Sequence, residues 1–182
     1  EHLKYKFMFV NNISALTILI AFVIGIIRCY QNNFIVATVD FSFSIFGIIL
    51  LYILRKRTDL IEIISSILLG LAYIMFTVIF IFSEHSTRLE TYFLLIASAY
   101  FVKGRKIGFY WIITVALTVS IVQFGGISET NYSDFDIFSF FIYLTILLTI
   151  FHLYEKIKTA QTKNLTELNE DLENLVQQRT EE

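Results

Sequence analysis

The stretch FIVATVDFSFSIFGIILLYIL, residues 34 to 54, carries one charge in 21 residues. A run this long and apolar crosses about 30 Å of hydrocarbon as one helix, because a helix satisfies every backbone N–H and C=O within itself. Five further runs separate at polar punctuation: about Ile13 to Ile27, Leu60 to Phe82, residues 89 to 102, residues 107 to 124, and Phe135 to Tyr154. They predict an all-α polytopic membrane protein, a six-helix transmembrane bundle over residues 1 to 155. A cytoplasmic coiled-coil extension of the last helix follows over residues 156 to 182. Composition agrees: 56% of the 182 residues are hydrophobic, 16% are charged and none is proline. One soluble core of this size does not hide so much apolar surface. The fourth run, LETYFLLIASAYFV, is short, and a re-entrant hairpin is its alternative reading.

Basic residues predict the orientation. Lys4 and Lys6 precede the first run, Arg55, Lys56 and Arg57 follow the second, Lys103, Arg105 and Lys106 follow the fourth, and Lys156, Lys158 and Lys163 follow the sixth. The alternate connections differ. The first holds only Arg28, the loop SEHSTRLE mixes Glu84, Arg88 and Glu90, and GGISETNYSD has acids (Glu129, Asp134) and no base. Both termini are therefore expected in the cytoplasm, and the outer connections are short. A signal is expected to arrive within the membrane, in a pocket between helices, or at that outer rim. A net charge of -2 offers nothing to nucleic acid. Cys29 is alone and forms no internal disulfide.

Asp40 stands out. It lies about 9 Å into the second run from the outer side at 1.5 Å per residue. A carboxylate there is costly unless neutral, paired or water-exposed. Asp40, Ser44 and Gly47 share one helical face, which should point into the bundle. Asp40 reads either as a ligand- or proton-sensitive contact or as a structural partner of a neighbour such as Thr38, Ser42 or Arg28. Small residues four apart, Ala21 with Gly25 and Ser66 with Gly70, permit close helix approach. Gly104 and Gly108 flank a basic turn and are expected to relax it. Tyr30, Tyr92, Tyr110, Trp111, Tyr132 and Tyr154 fall where an interfacial belt would sit. Tyr73, Phe76, Phe80, Tyr100 and Phe124 are candidates to line an aromatic pocket in the outer half, alongside Asp40 and Ser44, with residues 125 to 134 as its cap. An apolar lining suits a lipid or small hydrophobic ligand. Nothing in the chain makes a catalytic centre or a metal site. The histidines His2, His85 and His152 are scattered, and no HExxH, CxxC, Walker loop or serine elbow occurs.

After Tyr154 the pattern changes. Leu165, Leu168, Leu172 and Leu175 recur at spacings of three, four and three, the a and d positions of a heptad, with charged and amide residues between. No glycine or proline interrupts from Phe135 onward. The sixth helix should therefore continue into the cytoplasm and pair with a second copy as a parallel homodimer, since one such helix is marginal alone.

The stretch YEKIKTAQTKNLTELNEDLENLVQQRTEE resembles the linker of bacterial membrane-bound sensors. There a span ends in Tyr-Glu and a coil of the form LxxLNxxLExxVxxRTxE leads into a histidine kinase or diguanylate cyclase domain. The matching residues are Tyr154-Glu155, Leu165, Leu168-Asn169, Leu172-Glu173, Val176, Arg179-Thr180 and Glu182. The stretch TYFLLIASAYFVKGRKIGFYW, with Lys103 to Lys106 and Gly108, looks like the fourth-to-fifth-span turn of six-span sensory domains on such enzymes. The resemblance implies an input module in a bacterial cytoplasmic membrane that drives a cytoplasmic output domain in cis, absent from this sequence, and no enzymatic activity in this piece. A small transporter or lipid-interacting membrane protein with an oligomerising tail is the alternative. Transporters usually carry internal repeats with interrupted helices, and neither is apparent here.

Overall fold

A computed structural model describes residues 2 to 82, 89 to 127 and 132 to 181. Glu84, His85, Arg88, Glu129 and Glu182 lie outside the described residues, as do the side chains of His2, Lys4, Asn174, Leu175 and Thr180. The described chain is all-α: α1 (His2–Tyr30), α2 (Phe34–Lys56), a 3-10 turn (Thr58–Leu60), α3 (Ile61–Phe82), α4 (Thr91–Lys103), α5 (Arg105–Phe124) and α6 (Asp134–Glu181). Five of these helices are long and apolar enough to cross a membrane. The exception is α4, whose 13 residues rise only about 20 Å.

The chain divides into two compact units, Glu1–Phe141 and Ile142–Glu182. In the first, consecutive helices pack as neighbours from α1 through α5. Its burial pattern is that of a membrane bundle. Ile45, Ile48, Ile49 and Leu117 face outward, while Asp40, Ser44 and Ser65 are buried. Lipid is as apolar as leucine, so burial selects residues that pack closely or form hydrogen bonds with each other.

That rule explains the α1–α2 pair. The expected face of Asp40, Ser44 and Gly47 is buried against α1. A Cβ on Gly47 would stand 2.7 Å from the Ile18 side chain, and one on Gly25 would stand 3.1 Å from the Phe41 ring. The Ser44 hydroxyl lies 2.8 Å from the Asp40 carbonyl, one turn back, and 3.3 Å from the Ile18 carbonyl across the interface. Ala21 and Gly25 therefore work as a packing pair. Ser66 and Gly70 do not: Ser66 is exposed and nothing lies near a Cβ on Gly70.

Gly104 ends α4 and opens α5 at φ +81°, a conformation that suits glycine. Gly108 does more than relax that turn. A Cβ there would lie 2.9 Å from the Tyr100 Cα, so α4 and α5 touch backbone to backbone. Two members of the expected aromatic belt are instead buried. Tyr92 and Tyr132 both pack on Phe80, at ring distances of 6.1 and 5.2 Å, because their apolar rings fill the gap between helices.

In the second unit the described side chains beyond Glu155 are all exposed. Leu165, Leu168, Leu172 and Val176 are all more than half exposed, and the i,i+4 pair Lys163–Glu167 closes at 3.5 Å.

Candidate functional site

Three polar arrangements and one groove mark the first unit. The first arrangement answers the question that Asp40 raised. Arg28, in the last turn of α1, places Nη1 2.5 Å from Asp40 Oδ2 in α2. The carboxylate is 2% exposed and the arginine side chain 13%, so each charge is neutralised where water is scarce. At the other end of the same helix pair, Arg55 Nε donates to Asn11 Oδ1 at 2.9 Å. The two bonds clamp α1 antiparallel to α2 at both ends.

The second arrangement links α3, α4 and α5. The Tyr73 hydroxyl meets the Thr118 hydroxyl at 2.5 Å, and its ring packs on Trp111 at 5.5 Å. One turn along α3, Thr77 meets the Tyr92 hydroxyl at 3.0 Å while bonding back to the Tyr73 carbonyl. The Tyr73, Thr77, Tyr92 and Thr118 hydroxyls are thus paired with one another between helices, which lowers the cost of placing them in an apolar interior.

The third lies at the basic end of the bundle, where α1 and α3 begin and α4 finishes. Lys6 of α1 pairs with Glu62 Oε1, and Lys103 of α4 pairs with Glu62 Oε2 at 2.9 Å and also donates to the Glu62 carbonyl. One carboxylate thus ties three helices. In the sequence Lys6 and Lys103 mark orientation only, and nothing in the pattern pairs them with Glu62. The sequence feature that points to it is a single acid just inside the apolar run Leu60 to Phe82, beside the basic stretch Arg55 to Arg57.

Running up from this cluster is a groove of about 520 Å³ between α1, α3 and α4, with Phe43 of α2 at its back. Val10, Thr17, Leu68, Phe76, Leu95 and Val102 represent its walls. Thr17 and Ser65 both line it, yet their hydroxyls donate to the Ile13 and Ile61 carbonyls of their own helices, so they add no polar demand. Phe9 and Phe101, 6.2 Å apart, sit at its basic end.

Of the residues singled out from sequence, Phe76 lines this groove. Asp40 and Ser44 sit in the α1–α2 interface, and Tyr73 in the α3–α5 hydroxyl pair. Tyr100 packs beneath Gly108, and Phe124 is 81% exposed. The structure therefore does not gather these six into one pocket. The groove starts near the basic end and passes the middle of the bundle to reach Phe43, Phe76 and Leu94, and neither Asp40 nor Ser44 lines it. Among the described residues no group of three His, Cys, Asp or Glu is placed to hold a metal ion. No protein-family model, curated protein or solved structure matches this chain.

Proposed function

We propose that this chain is a membrane-embedded sensory input module that binds an amphiphilic signal between its helices and passes a conformational change along its last helix to a cytoplasmic enzyme. A histidine kinase is the first choice of output and a diguanylate cyclase the second, on the resemblance of the Tyr154–Glu182 stretch. The observation that carries the reading is α6. It is one helix of 48 residues whose first part is apolar and whose last part bears an exposed heptad stripe. A transporter has no need for such a shaft, whereas a helix that leaves a bundle without a break transmits rotation or displacement directly.

The predicted heptad stripe, exposed at Leu165, Leu168 and Leu172, leaves an apolar seam for a partner. The heptad spacing fits a second copy of the same helix in parallel, the arrangement that two chains inserted with the same orientation would adopt. Ligand binding then need only favour one bundle state. Each tenfold preference moves the output equilibrium by about 1.4 kcal/mol.

The test is cysteine cross-linking in lipid. Leu168→Cys and Leu172→Cys should form disulfide-linked dimers, and Glu170→Cys should not. The cross-linking yield should change when a signal molecule is added. A chain that remains monomeric in mild detergent and in lipid, with no cross-link at either leucine position, overturns the reading. Substrate flux in vesicles without any change at the coil would assign the chain to transport instead.

A further inference from the structure

The groove between α1, α3 and α4 ends where three charges meet, one from each wall. Lys6 stands three residues before Phe9 on α1, Glu62 three before Ser65 on α3, and Lys103 directly after Val102 on α4. Each charge is thus within one helical turn of the last lining residue of its wall. Two ammonium groups share one carboxylate, which leaves one positive charge in excess at the mouth of an apolar channel.

The three partners are unequally held. The Lys103 side chain is 5% exposed and that of Lys6 17%, while Glu62 is 60% exposed. The two cations are confined between helices. The carboxylate approaches them from outside and can swing back into solvent without being buried elsewhere. It occupies the seat that another carboxylate would take.

We propose that the groove binds a single-chain carboxylate amphiphile of the fatty-acid type, its acyl chain along α1, α3 and α4 and its carboxylate replacing Glu62 between Lys6 and Lys103. The lining residues run from Phe9 to Ile20 on α1 and from Ser65 to Phe76 on α3, about 16 Å on each helix. That length matches an extended chain of roughly a dozen carbons with bonds of about 1.5 Å. The chain meets walls that are mostly apolar, with the Thr17 and Ser65 hydroxyls bonded to their own helices, and the head, with Glu62 swung out, meets the two ammonium groups of Lys6 and Lys103. A two-chain phospholipid fits less well, because the seat is the size of one carboxylate. Binding also has a mechanical consequence. Displacing Glu62 unties the only ion pairs that join α1 to α3 and α3 to α4 among the described residues. The meaning of that release for signalling rests on the input-module reading, whereas binding itself does not.

The full chain in phosphatidylcholine nanodiscs is photolabelled with dodecanoic acid carrying a diazirine at its methyl end, and the labelled peptides are mapped by mass spectrometry. Label is expected around Ile20, Phe76 and Leu94, displaced by dodecanoate and displaced about tenfold less well by dodecanol, which lacks the charge. Lys103→Gln should weaken labelling and Glu62→Gln should strengthen it, because it removes the competing carboxylate. A cluster with a merely structural role would be loosened by both. Ser98→Phe, which fills the groove, should abolish labelling while leaving the fold intact. Label spread over outward residues such as Ile45 and Ile48, equal competition by dodecanol, or a loss with Glu62→Gln equal to that with Lys103→Gln overturns the proposal. Displacement by phosphatidylglycerol as effective as by dodecanoate would assign the seat to a phospholipid headgroup and overturn it too. Coil cross-linking reads a different site, so loss of this proposal leaves the input-module reading standing, and the reverse.

Discussion

Helix α1 presents two faces of opposite character. Toward α2 it is closed. Gly25 and Gly47 let the two helices approach to contact, and Arg28 and Asp40 pair in a site with little exposure. Toward α3 and α4 it is open, with a groove along its middle and a two-to-one ion cluster at one end whose carboxylate faces solvent. The difference lies in residue size and exposure, not in hydrophobicity, since both faces are apolar. In lipid, apolar surface alone drives no helix together, so small residues and paired polar groups decide which faces close. A face closed by a buried pair stays closed. A face held by an exposed carboxylate can be reopened by anything that competes for the lysines.

The largest expected effect tests the closed face. Asp40→Ala leaves the Arg28 guanidinium unpaired and should cost about 3–5 kcal/mol of stability, read by denaturant unfolding in mixed micelles. Asp40→Asn should cost less, because its amide oxygen still accepts from Arg28. Should Asp40→Ala cost no more than Glu62→Ala, the contrast between the two faces fails.

Next is Gly47→Leu, which drives a side chain into Ile18. It should cost about 1–3 kcal/mol by the same measurement. On the open face, Ser98→Phe should change stability by less than about 1 kcal/mol, since it enters existing space. Smallest is Glu62→Gln, at about 0–1 kcal/mol, because the exchanged carboxylate is exposed and the amide oxygen that takes its place still accepts from the lysines. Salt sharpens the same point. Raising ionic strength toward 1 M, where screening acts over about 3 Å, should erase the Glu62→Gln effect and leave most of the Asp40→Ala effect.

Much of the architecture was legible in the sequence, because the spans are written in continuous apolar runs. Helix content, the brevity of α4 and the inward face of Asp40, Ser44 and Gly47 all followed from length and the 3.6-residue period. The candidate site was far less legible. Asp40 was conspicuous as a charge in an apolar run, but its partner Arg28 belongs to another helix, and only packing chose it among the neighbours considered. Tyr92 and Tyr132 lie near helix ends, where a tyrosine suits an interface, yet the bundle drew both inward onto Phe80. Phe76 and Tyr73 lie three residues apart on α3. One lines the groove and the other binds Thr118, a division set by where α4 and α5 fall.

The cluster of Lys6, Glu62 and Lys103 shows the same limit most plainly. Residues 56 and 41 positions apart carry no periodic signal that they meet. By itself the sequence determined that the chain forms long apolar helices and where Gly104 breaks them, because these depend on a residue and its near neighbours. Which faces close, which leave a groove, and which charges stand at its mouth were decided by tertiary structure. Those outcomes depend on distances between helices, and these are set only when all the helices pack at once.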